Sequence, residues 1–169
     1  MCGILGTNFL SNNFSSSLEF LNQRGPDFQN SLKIDNKEFG HTRLAIIDLD
    51  EEANQSMIFD DILLVFNGEI YNYKDIKKGL EQKGYHFNSV SDTEVLLNGF
   101  IEYGTEIVHK LRGMFAFVIW DTEQKEAFIA RDRFGEKPFY YYYSPDGAFG
   151  FASNLAGIVP LVGKKLQIC

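Results

Sequence analysis

The chain opens Met1-Cys2-Gly3-Ile4-Leu5-Gly6, a small reactive side chain followed at once by an apolar run. Cysteine in second place becomes the terminal residue once the initiator methionine is removed, as a side chain this small permits. One residue then carries both a thiol and a free α-amine. A nucleophile so placed can use its own amine as general base, without borrowing a histidine. The reference pKa values suit that division, about 8.5 for the thiol and about 7.7–8.0 for the amine. Gly3 allows a substrate to approach the backbone closely, and Ile4-Leu5 starts a buried strand that would hold the sulfur still. The competing reading of Cys2 is a buried small hydrophobe in a first strand. The rest of the chain has to decide between them.

Outward from this strand, the pattern alternates short apolar runs with turn residues. Strands are expected at Gly3–Leu10, Phe28–Ile34 and Glu38–Leu49, with a turn at Asp35-Asn36-Lys37 and a short helix at Ser15–Gln23. The helix stops at Arg24-Gly25-Pro26-Asp27, since glycine and proline break the pattern. Asp48 to Glu52, followed by Ala53-Asn54-Gln55-Ser56, reads as a loop. Ile62 to Phe66 is a continuous apolar run, hence a strand buried on both faces. Asn72 is placed to N-cap a helix that Gly84 ends, and Ser91 with Glu94 forms a capping box for a helix running to Gly104. A short third helix follows from Thr105 to near Gly113. Met114–Trp120, Ala127–Arg131, Phe139–Tyr143 and Gly147–Ser153 read as strands. Strands, then a helical block, then strands give an α+β layered fold and not a βαβ alternation.

Bulk composition agrees and narrows the function. The 169 residues make one domain of ordinary size, 44% hydrophobic and 23% charged, as globular chains are. Sixteen Phe, eight Tyr and one Trp suggest packed sheets with large core side chains. Net charge is −7 with no long basic run, which argues against nucleic acid as a partner. Two cysteines at opposite ends make no disulfide framework and no metal-ligand spacing. No apolar stretch has bilayer length and no signal-peptide pattern is present, so no membrane role is expected. A reducing, cytoplasmic compartment fits best.

Several residues carry chemistry. Asn67-Gly68 is a common hairpin signal, yet Glu69 to Tyr73 leads into a helix, which weakens the hairpin. An amide side chain beside a glycine N–H is also how two neutral donors can face one oxyanion. Arg43, in an otherwise apolar strand, is either a strand-end ion pair or a fork for a substrate carboxylate. Asp92, at a helix start, either caps or holds an ammonium group. Together the last two suit a free amino acid, which presents one charge of each sign. His41, His86 and His109 are scattered and read as structural or exposed. Arg131-Asp132-Arg133 with Lys137 reads as a solvated turn or an interface, and Tyr140–Tyr143 as a strand.

In order along the chain stand Met1-Cys2-Gly3-Ile4, Arg24-Gly25-Pro26-Asp27, His41-Thr42-Arg43-Leu44, Asn67-Gly68-Glu69-Ile70-Tyr71-Asn72 and Ser91-Asp92-Thr93-Glu94-Val95. Gly113-Met114-Phe115-Ala116-Phe117, Ala130-Arg131-Asp132 with Gly135 and Lys137-Pro138, and Phe151-Ala152-Ser153 follow. The chain resembles the glutaminase domain of glutamine-hydrolysing asparagine synthetases, a class II glutamine amidotransferase of the N-terminal-nucleophile fold. The likeness covers nearly the whole chain as a single domain. It implies a four-layer α/β/β/α sandwich with two antiparallel sheets. It further implies Cys2 as nucleophile, Asn67 and Gly68 as oxyanion donors, Arg43 on the glutamine carboxylate, and Asp92 with Glu69 on its ammonium. No metal or cofactor is implied for this domain. ATP and magnesium would belong to a synthetase domain, absent from this chain, or to a partner chain that receives the ammonia; a homodimer is possible in this family. Two positions depart from the pattern, Gln23 where histidine is usual and Asn154 where glutamate is usual. Two other readings share the fold: a catalytically silent regulatory or interaction domain, and an N-terminal-nucleophile amidohydrolase of another amide.

Overall fold

The computed structural model describes residues 2–46 and 54–163. The elements in chain order are β1 (Gly3–Thr7), α1 (Phe14–Glu19), β2 (Phe28–Ile34), β3 (Lys37–Arg43), β4 (Met57–Phe59) and β5 (Ile62–Ile70). Then come α2 (Tyr73–Glu81), α3 (Asp92–Tyr103), a 3-10 turn at Gly104–Glu106, α4 (Ile107–Lys110), β6 (Gly113–Asp121) and β7 (Glu126–Arg131). The chain ends its described part with β8 (Tyr140–Tyr143), β9 (Phe149–Ala152) and α5 (Leu155–Val162). β3 ends at Arg43, so the expected strand through Leu49 is too long: Leu44, Ala45 and Ile46 are not strand, while residues 47–49 of it, the acidic loop from Asp48 to Ala53 and Met1 lie outside the described residues.

The α+β expectation holds, with both sheets antiparallel. They belong to two compact units, one built from residues up to Leu44 and from Pro138 onward, the other from Ala45 to Lys137. In the first unit the sheet order is β2-β3-β1-β9-β8. All five residues of the central strand β1 are buried, as its apolar sequence requires. Leu5 and Ala152 on that sheet pack against Phe14, Leu18 and Leu21 around α1 and against Ile158 and Leu161 of α5.

In the second unit the order is β4-β5-β6-β7. Leu64, Phe66 and Ile70 of β5 join Phe115, Phe117 and Ile119 of β6 in a core with Leu96, Leu97 and Ile107 of the helical block. The alternate residues Leu63 and Val65 are also fully buried. Burial on both faces is why the run reads as unbroken apolar sequence.

Two elements escaped the sequence reading. β4 is three residues long and pairs with Ile62–Leu64. α5 was hidden by Gly157 and Pro160 inside it, residues that ordinarily disfavour a helix interior. It is held by its ends and flanks. The Asn154 side chain accepts the Gly157 N–H at 2.7 Å, Gly163 closes the helix at φ 62°, and Asn13 and Ser11 donate to the Pro160 and Leu161 carbonyls. Asn154, one of the two departures from the family pattern, is therefore a helix cap. Gln23, the other, is exposed.

Three local expectations need correction. Asn72 sits at the α2 N-cap position without capping it. Its side chain instead accepts from Arg112 N–H at 2.8 Å and donates to the Lys110 carbonyl at 2.9 Å, tying α2 to the chain entering β6. The capping box at α3 is half formed. Ser91 accepts from the Glu94 N–H, but the Glu94 carboxylate turns to the N–H groups of Asn88 and Ser89. The charged loop after β7 is only in part a solvated turn: Arg131, Arg133 and Glu136 are exposed, but Asp132 and Lys137 are buried at 6% and 3% exposure. Asp132 accepts from the N–H groups of Phe134, Glu136 and Lys137 at 2.9–3.1 Å and from Phe115 at 3.4 Å. Arg131 donates to the Lys137 and Gly135 carbonyls, so the loop closes on itself.

Burial alone would raise the Asp132 carboxyl, but the N–H groups of Lys137, Glu136, Phe115 and Phe134 outweigh it and hold it below its ordinary 3.8. A depressed carboxyl contributes stability that is complete above the unfolded value and is lost as pH falls through the folded one. Asp132→Ala should therefore cost about 3 kcal/mol of unfolding free energy at neutral pH, since the buried N–H groups of Phe115 and Lys137 and the partly buried ones of Phe134 and Glu136 lose their acceptor. Asn154→Ala, which removes a single cap, should cost about 1 kcal/mol. Urea unfolding at pH 7 and pH 3 checks both the ranking and the sign; equal costs, or an Asp132→Ala deficit that grows on acidification, would contradict this account.

Candidate active site

Cys2 stands one residue before β1, partly buried, and its sulfur is held against the chain leaving β3. Leu44 N–H donates to Sγ at 3.5 Å, and the thiol faces the Leu44 carbonyl at 3.7 Å. The register Gly3↔Thr42 fixes this, since the strand that follows Cys2 runs beside the residues that precede Leu44. On its other side β1 is tied to the residue after β9. Ser153 accepts the Ile4 N–H through Oγ at 2.9 Å and donates its own N–H to the Ile4 carbonyl.

The Arg24-Gly25-Pro26-Asp27 segment, read from sequence as a helix stop, is also a brace across these two strands. Arg24 Nε donates to the Cys2 carbonyl at 3.1 Å. Asp27 N–H donates to the Arg43 carbonyl at 3.0 Å, and Pro26 bridges to Arg43. Gly25 lies so close to β3 that a Cβ there would sit 2.3 Å from the Thr42 carbonyl carbon and 2.5 Å from Arg43 N. Only glycine fits. Burial lowers the Arg24 pKa, while the neighbouring Cys2 and Tyr140 push it back up. Cys2 and Arg43 are thus brought together in the first unit, with the Arg43 side chain 7% exposed at the end of β3.

Asn67, Gly68, Glu69 and Asp92 all belong to the second unit. The structure corrects the setting of the first three, which lie inside β5 and not after it. There is no hairpin at Asn67-Gly68, because β5 continues to Ile70 in register with β6, Asn67 opposite Ala116 and Gly68 opposite Phe115. Gly68 is required by that pairing: a Cβ would lie 2.5 Å from the Met114 carbonyl oxygen and 2.8 Å from Phe115 Cα. Asn67 is buried, at 1% exposure.

Among the described residues, the backbone of this stretch has an open edge. Along a strand the N–H groups of residues i and i+2 point the same way, so Phe66, Gly68 and Ile70 share one side. β4 covers that side only as far as Leu64. Beyond it, side chains substitute for a strand. Gln55 Oε1 accepts the Phe66 N–H at 2.6 Å, and Asp92 Oδ2 accepts the Ile70 N–H at 2.9 Å. Between them the Gly68 N–H is directed into the open edge. Its neighbour across the ladder, Phe115, turns both its N–H and its carbonyl to Asp132 on the far side.

Asp92 is 5% exposed and sits in the first turn of α3. Burial is the largest influence on its carboxyl, and the Glu69 charge adds to it. The N–H groups of Ile70, Asp92 and Thr93 oppose them without prevailing, and the pKa stands at about 6. Such a group can hold a cation when ionised and is charged or neutral within the physiological range.

His41 is buried in β3, while His86 and His109 are exposed. Among the described residues no group of three or more His, Cys, Asp or Glu side chains is placed to hold a metal ion. Among the described residues no helix is long and apolar enough to cross a membrane. Sequence reasoning passed over Gln55, the bracing role of Arg24 and Gly25, and Ser153. Arg24, Gly25 and Ser153 lie inside motifs already quoted, which was their signal, whereas Gln55 stands in a stretch read as a loop and gave none.

Comparison with known proteins adds three findings. The model of the glutamine amidotransferase domain family matches residues 1–168. Asparagine synthetase [glutamine-hydrolyzing] 3 of Bacillus subtilis is 39% identical over 88% of this chain, and asparagine synthetase [glutamine-hydrolyzing] 1 of the same organism 46% over 78%. A putative asparagine synthetase [glutamine-hydrolyzing] 2 of Methanocaldococcus jannaschii is 34% identical over 99% of it. The matched stretches span 24%, 21% and 37% of those proteins' lengths. Among solved structures, the glutamine phosphoribosylpyrophosphate amidotransferase of B. subtilis superposes with a TM-score of 0.81 at 22% identity, covering 96% of this chain and 44% of that one. An allosteric regulatory enzyme of purine biosynthesis gives 0.82 at 22%, covering 95% and 43%. The fold is thus that of the N-terminal-nucleophile amidotransferases, and with the family model matched almost end to end, the chain belongs to the glutamine amidotransferase domain family.

Proposed function

We propose that the chain hydrolyses the side-chain amide of glutamine through a thioester on Cys2 and releases ammonia for an ATP-dependent amidation of the asparagine-synthetase kind. The observation that carries this is the Gly68 N–H, aimed into an open strand edge between two amides already occupied, in a chain whose second residue is a thiol. An amide donor directed at an open edge suits an oxygen that gains negative charge. The relatives' names supply the substrate, and the charges of Arg43 and Asp92 match the two ends of a free amino acid.

With Met1 removed, the Cys2 α-amine takes the thiol proton while sulfur bonds to the glutamine Cδ. The tetrahedral oxyanion is met by Asn67 and the Gly68 N–H. Collapse breaks the C–N bond, and the amine returns the proton to the departing nitrogen, which leaves as ammonia. Water, deprotonated by the same amine, then attacks the thioester carbonyl, and glutamate leaves as sulfur regains its proton. A cation beside a nucleophilic sulfur favours its anionic form, and Arg24 is that neighbour. Arg43 holds the substrate carboxylate, and Asp92 with Glu69 holds its ammonium. A reducing cytoplasm would keep the thiol reduced.

Cys2→Ala should abolish glutamine hydrolysis while leaving the fold intact by circular dichroism. Residual turnover in that variant would rule out the thioester. Intact mass should show loss of the initiator methionine in active protein, and a retained methionine should accompany inactivity. Asparagine and simple acyl amides, tested alongside glutamine, separate this reading from another amidohydrolase, and a silent domain would turn over none of them.

The pH dependence has a definite sign. Asp92 holds an ammonium group only when ionised, so KM for glutamine should rise as pH falls through about 6. Asp92→Asn should raise KM by about 30-fold or more at pH 8, the cost of a buried charge left without its partner, and should flatten the acid limb of the KM profile. A wild-type KM that stays level between pH 8 and pH 5 would refute the assignment.

A further inference from the structure

Gln55 belongs to no recognised motif, yet it is 4% exposed and both ends of its amide are engaged. Oε1 accepts the Phe66 N–H at 2.6 Å, and Nε2 donates to Thr93 Oγ1 at 3.2 Å. It therefore joins the open edge of β5 to the first turn of α3. The adjacent residue of α3, Asp92, makes the second such link at Ile70. Gln55 and Asp92 bracket Gly68 on one strand edge, each occupying an amide two residues away from it.

We propose that Gln55 is a positioning residue for the oxyanion site. By occupying the Phe66 N–H it leaves Gly68 as the backbone donor on this edge between β4 and Asp92. Through Thr93 it also fixes the helix that carries Asp92 against the strand that carries Gly68. The inference rests on the glutaminase reading above and adds to it a residue that contacts neither substrate nor nucleophile. Without Gln55, the Phe66 N–H is a competing donor only two residues from Gly68. The strand edge is then free to shift toward whatever acceptor meets it. A displacement of about 1 Å at a reacting group can cost on the order of a hundred-fold in rate.

The test measures glutamine hydrolysis in the purified chain, with turnover normalised to active sites counted by covalent labelling with a diazoketone analogue of glutamine. Normalisation removes any loss that is merely of folded protein. Gln55→Met keeps length and shape but has no strong acceptor; its kcat per labelled site is expected to fall between about ten- and a hundred-fold. Gln55→Glu keeps an acceptor for Phe66, and the Thr93 hydroxyl can donate to it in turn. That variant is expected to recover kcat to within about three-fold of wild type, with the recovered contact as the cause. Thr93→Val breaks only the link to α3, and its expected effect is a KM raised about five-fold or more with kcat nearly unchanged, because it acts through Asp92.

Wild-type kcat per labelled site in Gln55→Met overturns the proposal. So does an unchanged KM in Thr93→Val, which decides the matter should Gln55→Met fail to fold. A wild-type chain that does not hydrolyse glutamine overturns the glutaminase reading and this inference with it, an outcome distinct from the other two.

Discussion

A buried backbone N–H without an acceptor costs about 1–3 kcal/mol, and this chain meets that cost with side chains at several places where its strands run out of neighbours. Gln55 and Asp92 stand in for a missing strand beside β5. Ser153 takes the Ile4 N–H next to the residue that carries the thiol. Asp132 takes the amides of the loop after β7, and Glu94 those of Asn88 and Ser89 before α3. Each substitution holds a segment that regular pairing would leave loose. Around the candidate site they leave the Gly68 N–H facing an open edge.

The same device acts in two electrostatic settings. Asp132 and Asp92 are both buried carboxylates that accept backbone N–H groups. At Asp132 the donors outweigh desolvation and the carboxyl is held below its usual range. At Asp92 desolvation wins, helped by the Glu69 charge, and the carboxyl rises to about 6. The first is a structural anion, stable over the working pH range. The second carries an energetic cost when ionised without a partner, which a ligand's ammonium group would relieve. A buried acid shifted up beside a second acid is a common mark of a binding site.

Glycine marks the other constraint, close approach. Gly25 lets the Arg24 brace lie on the backbone of Thr42 and Arg43, and Gly68 lets β5 lie against Met114 and Phe115. Gly113, at φ 155°, has the same role from the opposite strand, where a Cβ would fall 2.1 Å from the Glu69 carbonyl oxygen. These contacts bring backbone against backbone around Cys2 and around Asn67-Gly68, where no side chain has room. They also explain why short motifs containing glycine carried so much of the family likeness.

The strands β1, β2, β5, β6 and β7 and the helices α2 and α3 were legible in the sequence because each is set by local periodicity, capping residues and turn residues. Cys2, Arg43, Asn67, Gly68 and Asp92 stood out as candidates because their motifs are compact and their chemistry is distinctive, and Glu69 joined them only through the family likeness. α5 was not, since tertiary contacts from Asn13 and Ser11 override the local signals of Gly157 and Pro160. Nor was the strand character of Asn67-Gly68, because a hairpin signal yields when a long partner strand lies alongside in register. The chain's own order of residues determined the element types, the nucleophile candidate and the balance of charges for an amino acid. Only the tertiary structure decided which amide remains available, which carboxyl is shifted up and which residues brace the sulfur. Those properties depend on acceptors and desolvation supplied by segments far apart in the chain, as Gln55, Phe66 and Thr93 are.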